Sequence, residues 1–172
     1  MLKKVHLIID YNRFMNCEYP EESSCIKHQV DELTDIHQQY GGFPDSYSLE
    51  NTKIKQRWWN DSEIDFKDIG SQLSMDVITV SSILQPPGNV IPWHRDTFYQ
   101  IKQRYPNRED TMVRANIYLE DWKMGHFIQF QEEVDTHWKS GEGWLWDSSI
   151  LHLGANAGMQ SKYTLQVSGF LI

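Results

Sequence analysis

Cysteine is scarce in this chain: Cys17 and Cys25 are the only two in 172 residues. They form no C-x-x-C and no zinc-type spacing, which argues against a disulfide framework and a cysteine-rich zinc site. Free thiols in a reducing compartment are the expectation. Long apolar runs are missing as well. The opening MLKKVHLIIDYN is broken by His6 and Asp10 and has no signal-peptide core, and no later stretch is long enough to cross a bilayer. A cytoplasmic protein without a membrane partner is expected. Basic charge is in short supply: 16 Lys and Arg stand against 24 Asp and Glu, for a net charge of −8. Such a chain is a poor electrostatic match for phosphate backbones, so general nucleic-acid binding is not expected. Repeats, low-complexity tracts and Pro/Gly/Ser linkers are absent, and the length suits one domain over 1–172.

Aromatic residues are plentiful at 13%, with seven Trp and eight Tyr. They suit a β-rich core or an aromatic-lined pocket. Residues 2–9 read as a first strand. Residues 21–40 read as a helix: Ile26, Val30, Leu33, Ile36 and Tyr40 recur at steps of three and four, Ser23 or Ser24 can cap the start, and Gly41-Gly42 can end it. His28 and His37 lie off that stripe and are expected to be solvated. A shorter helix is expected within 61–75, and Trp58-Trp59 before it is expected to pack. The texture then changes. VITVSSIL, VIPWHRD, TMVRANIYLE, HFIQFQ, GWLWD, ILHLG and KYTLQVSGFLI follow one another, separated by Pro, Gly, Asn and Asp turn residues. The fold class is therefore mainly β with flanking N-terminal helices. Residues 1–75 supply helical support and first strands, and 76–172 supply a sandwich, jelly-roll or barrel core.

Two of these strands are two-faced. Val113, Ala115, Ile117 and Leu119 alternate with Met112, Arg114, Asn116 and Tyr118. Tyr163, Leu165, Val167 and Leu171 oppose Lys162, Thr164, Gln166 and Ser168. The polar faces could meet solvent or line a wet cavity. On a strand, residues two apart point the same way, so His94 and Asp96 of IPWHRDTF converge, and a third ligand would complete a 2-His-1-carboxylate metal site. His126, His137 and His152 are the candidates. His137 reads as exposed. His152, in a short apolar run after a tight turn, needs a partner and is the best of the three. HRD is also a kinase signature, but the Gly-rich loop and DFG are missing, and no G-x-S-x-G is present for a serine hydrolase.

His94-x-Asp96, a distal His152, Lys162 ten positions later and Thr164 two beyond it resemble the Fe(II)/2-oxoglutarate-dependent oxygenases. RANIYLE, GEGWLWDSS, HLGANAG and KYTLQVSG resemble their aspartyl/asparaginyl β-hydroxylase and proline-hydroxylase branch. The resemblance covers roughly 76–172. It implies a double-stranded β-helix (a cupin-like jelly roll) with His94, Asp96 and His152 as Fe(II) ligands and the catalytic centre. It implies that Lys162 and Thr164 hold the distal carboxylate of 2-oxoglutarate, since a buried dianion requires a paired cation. Many relatives have arginine at the Lys162 position, and that branch has histidine where this chain has Asn116, which can still hydrogen-bond the cosubstrate. The implied reaction consumes 2-oxoglutarate and O2, releases succinate and CO2, and hydroxylates a C–H bond. Asp96 favours hydroxylation over halogenation. Arg114 is a candidate for a substrate carboxylate and Trp93 for a pocket wall, with an amino acid, peptide or small molecule as substrate. The stretch FYQIKQRYPNREDT is expected to loop near the site mouth. The alternative reading is a cupin-like metalloprotein, an isomerase or metal-dependent sensor, that does not use 2-oxoglutarate.

Overall fold

The computed structural model describes residues 1–28 and 35–172. Their strands are β1 (Leu2–His6), β2 (Glu21–Ser24), β3 (Lys53–Trp59), β4 (Met75–Gln85), β5 (Asn89–His94), β6 (Met112–Tyr118), β7 (His126–Phe130), β8 (Val134–Asp135), β9 (Glu142–Asp147), β10 (His152–Asn156) and β11 (Lys162–Leu171). They build two antiparallel sheets. One has the order β1-β9-β6-β11-β4-β3-β2 and the other β5-β10-β7-β8. Non-sequential neighbours such as β6 beside β11 and β10 between β5 and β7 make this a jelly roll, in line with the sequence expectation.

The alternating strands decide which face is which. Val113, Ala115 and Ile117 of β6 and Leu165 and Val167 of β11 are fully buried, in one cluster with Phe14, Trp59, Ile69 and Leu73. That cluster places the short helices Tyr11–Met15 and Phe66–Leu73 on the outer face of the large sheet. The second of these begins at Asp65, whose carboxylate accepts the N–H groups of Lys67 and Asp68 at 2.9 and 3.0 Å, an N-cap worth roughly 1 kcal/mol. The polar faces of β6 and β11 therefore turn inward, toward the small sheet. At one end that interior closes with a second cluster of Tyr118, Ile128, Phe130, Trp138, Trp144 and Trp146. Gly169 marks a register shift in β11, where a Cβ would overlap the Asp76 carbonyl oxygen. Beyond the shift Phe170 joins Phe98 and Ile101, so the helix Tyr99–Arg104 is pinned beside the inner face.

Several expectations need correction. Residues 21–24 are a strand, not the first turn of a helix, and a helix starts only at Cys25. Glu21–Ser24 pairs with Lys53–Gln56, and this non-local pairing overrides a local helical pattern. Val30, Leu33 and the side chain of His28 lie outside the described residues. A 3₁₀ turn at Gln38–Tyr40 does end at Gly41, with φ of 84°. His37 is buried against Phe43 rather than solvated, with ring centroids 4.7 Å apart. Trp59 packs on Phe14 as expected, whereas Trp58 is 37% exposed. Strand β1 stops at His6, short of residue 9, and β2, β3 and β8 are absent from the sequence expectations.

Candidate metal centre and its cavity

His94 is the last residue of β5 and His152 the first of β10, and the two are direct cross-strand partners. Their rings lie 4.2 Å apart between centroids. Asp96 lies two residues beyond the end of β5, so the strand period does not aim it as the sequence pattern suggested. It still converges. Its Oδ1 is 3.9 Å from His94 Nε2 and its Oδ2 is 3.8 Å from His152 Nε2. One ligand atom from each residue lies within 4.8 Å of the other two, and all three side chains are buried.

Hydrogen bonds fix the imidazole tautomers. His94 Nδ1 is 2.8 Å from the Pro92 carbonyl and His152 Nδ1 is 3.1 Å from the Ile150 carbonyl. A carbonyl only accepts, so each Nδ1 donates, and each ring turns its Nε2 toward Asp96. Burial, and then the neighbouring His94, push the His152 pKa down to about 3, so that ring is neutral at physiological pH. For Asp96 burial pulls upward, but the Arg114 guanidinium, His152, His94 and the Trp146 indole outweigh it and leave the carboxyl below its ordinary value. Two imidazole nitrogens and a carboxylate, each oriented by a neighbour, match a borderline divalent metal.

The Asp96 contacts come from the opposite sheet. Arg114 Nη1 donates to Oδ1, and Trp146 Nε1 donates to Oδ2 at 2.6 Å. Arg114 Nε donates to Ser168 Oγ at 3.1 Å, and its guanidinium lies 5.4 Å from the Phe98 ring centre. Phe98 itself has φ of +52°, an uncommon backbone state for a bulky residue, held here by burial of its ring.

Two spaces meet at His94. A narrow cavity of about 50 Å³ is lined by His94, His152, Asn116, Trp146, Lys162, Thr164 and Gln166, with Ile83, Ile91, Ile128 and Leu153 as apolar wall. Lys162 is buried there. Its Nζ donates to the carbonyls of Phe127 at 2.9 Å and Ala155 at 3.4 Å, and it makes no ion pair among the described residues. Burial pushes its pKa down to about 7, opposed by Asp135. Asn116 Oδ1 is buried without a hydrogen-bond partner. The buried Lys162, with no ion pair among the described residues, fits a bound anionic ligand, while the orphaned Asn116 oxygen can only accept a hydrogen bond. The second space is a cleft of about 800 Å³, open to solvent and lined by His94, Asp96, Phe98, Tyr99, Arg114 and Trp58 among others.

The structure thus brings His94, Asp96, His152, Asn116, Lys162 and Thr164 together, with Arg114 at the junction. Trp93 lines neither space: it alternates with His94 on β5 and lies half-buried on the other face. Arg95 donates to the Ser149 carbonyl at 3.3 Å. His126 is buried, hydrogen-bonded to the Gln160 carbonyl at 3.0 Å, and away from the ligand set. Residues 98–101 line the cleft, as expected of the stretch after Asp96, but Tyr99–Arg104 is a helix rather than a loop. The Asp96 bond of Trp146 has no local sequence signal. Trp144, two residues earlier on β9, sends the same indole N–H to Asp135 instead.

No protein-family model matches the chain. No curated protein matches it in sequence either. Solved structures do match. The viral collagen prolyl hydroxylase vCPH of Paramecium Bursaria Chlorella virus-1, in complex with 2OG, aligns over 99% of this chain and 96% of its own, at 14% identity and a TM-score of 0.58. A prolyl-4-hydroxylase of Pseudomonas putida aligns over 88% and 92%, at 14% identity and a TM-score of 0.51. The non-heme monooxygenase ThoJ, a nickel complex, aligns over 98% and 72%, at 12% identity and a TM-score of 0.51. These likenesses establish the fold alone: the chain is a double-stranded β-helix.

Proposed function

We propose that the chain is an Fe(II)/2-oxoglutarate-dependent dioxygenase, a hydroxylase of an amino acid, a peptide side chain or a related small molecule. The observation that carries this reading is the cavity in which a buried lysine without an ionic partner shares one wall with two oriented imidazoles. A metalloprotein with no anionic cosubstrate has no need to bury Lys162. His94, Asp96 and His152 would hold Fe(II). Lys162 would pair the distal carboxylate of 2-oxoglutarate, with the Thr164 hydroxyl beside it, and the Asn116 amide would meet the other end. Bound together, metal, cosubstrate and O2 supply the oxidising power that hydroxylates a C–H bond with release of succinate and CO2.

The chain's own residues do the rest. Nδ1–H bonds to backbone carbonyls aim both imidazoles, and burial keeps the His152 ring neutral. Ile83, Ile91, Ile128 and Leu153 keep the cavity wall dry, which strengthens the Lys162 pairing. The cleft takes the substrate, with Arg114 at its inner end as the candidate contact for a substrate carboxylate and Trp58 and Tyr99 in its walls. Residues 1–172 would act as one oxygenase domain in the cytoplasm. Asp96 keeps the carboxylate ligand in place, which favours hydroxylation over halogenation.

The test is uncoupled turnover: with added Fe(II), the protein should convert 2-oxoglutarate to succinate without a prime substrate. Specific iron binding with no 2-oxoglutarate binding or turnover would refute the reading. Lys162→Ala separates it from a metalloprotein that ignores 2-oxoglutarate, because only here should that change weaken cosubstrate binding.

A further inference from the structure

Asp96 poses a positioning problem. Its strand ends at His94, so no ladder hydrogen bonds fix its backbone, and a carboxylate turns about its Cβ–Cγ bond. The opposite sheet answers it. Ser168, Arg114 and Trp146 form one cross-strand row over β11, β6 and β9: Ser168 faces Arg114, and Arg114 faces Trp146. The row ends on the carboxylate, with Arg114 Nη1 on Oδ1 and Trp146 Nε1 on Oδ2 at 2.6 Å. Trp146 has no freedom to donate elsewhere: it is 1% exposed, and its ring centre lies 4.6 Å from that of His152 and 5.8 Å from that of Phe130. Arg114 is held in turn by Ser168 Oγ.

We propose that Trp146 is a positioning residue that, with Arg114, sets the orientation in which Asp96 meets the metal. The inference rests on reading His94, Asp96 and His152 as a metal site. Neutral Trp146 is the informative member, because replacing it changes no charge. Removing Arg114 would leave a buried carboxylate uncompensated and endanger folding.

The experiment measures Mn(II) and Co(II) affinity of the full chain by anaerobic calorimetry, together with the visible spectrum of the Co(II) form. Trp146→Phe keeps an aromatic six-membered ring and loses the donor with the five-membered ring, and Trp144→Phe makes the same change in volume. Metal affinity should fall 10- to 100-fold, the range usual for a lost hydrogen bond behind a ligand, and the Co(II) spectrum should change. Trp144→Phe is the matched control. It removes the same kind of bond two residues away, from Asp135 at 2.7 Å, and should leave affinity and spectrum unchanged. Arg114→Lys, which keeps the charge but loses the fork, should give an intermediate loss of affinity. If Trp146→Phe binds metal as the wild type does, or if Trp144→Phe loses as much, the inference is overturned. If the wild type binds neither ion, the metal site and this inference fall together. If metal binding behaves as stated but 2-oxoglutarate never binds, the inference stands and the dioxygenase reading fails.

Discussion

Lys162 is buried with two backbone carbonyls as its hydrogen-bond acceptors and no ion pair among the described residues. Its pKa of about 7 lies below the ordinary lysine value of 10.5. Between those two values the unfolded chain binds more protons than the folded one, so stability rises with pH there, and the penalty is fully present below pH 7. The slope from one such group reaches at most about 1.4 kcal/mol per pH unit. Urea unfolding at several pH values between 7 and 10 should show it, and Lys162→Met should flatten it. A carboxylate ligand would draw the ammonium back to its charged form, so 2-oxoglutarate affinity should fall as pH rises above 7, with proton uptake visible as a buffer-dependent binding heat. Lys162→Ala should weaken 2-oxoglutarate binding roughly 10- to 100-fold, the loss of a charge-assisted bond, while Mn(II) affinity holds.

At the scale of elements, the site depends on β9 lying tight against β6. Gly143 permits this: a Cβ there would overlap the Asn116 carbonyl oxygen and crowd Ile117. Gly143→Ala should therefore push β9 away, lower the melting temperature by several degrees and weaken metal binding through Trp146. A calorimetric melt and a metal titration on the same sample check it. Much of this level was legible in the sequence. The two-faced patterns of β6 and β11 separated the two faces without saying which turns inward, and the structure brings His94, Asp96, His152, Lys162 and Thr164 near one another. What was hidden depends on non-local pairing. Glu21–Ser24 carries a helical pattern, yet it joins β3, some 30 residues away in sequence, at the edge of the large sheet. Asp96 falls outside the strand whose period seemed to aim it. Trp144 and Trp146 share a face and a strand, and only their partners, Asp135 and Asp96, tell them apart.

At the scale of the whole molecule, the candidate metal centre joins the two sheets: His94 and His152 belong to the small one, and Arg114 and Trp146 reach Asp96 from the large one. A ligand that binds only the folded state stabilises it by about 2.7 kcal/mol at 100 times its dissociation constant. Mn(II) should accordingly raise the melting temperature, 2-oxoglutarate should raise it further only when metal is present, and His94→Ala should abolish both shifts. No helix among the described residues is long and apolar enough to cross a membrane. The most direct measurement is calorimetric titration of 2-oxoglutarate into the Mn(II)-loaded chain, beside the metal-free chain and Lys162→Ala. The account expects saturable one-to-one binding that requires the metal and is strongly weakened in the variant. Metal-loaded protein that binds no 2-oxoglutarate, or binds it equally well without Lys162, would contradict it.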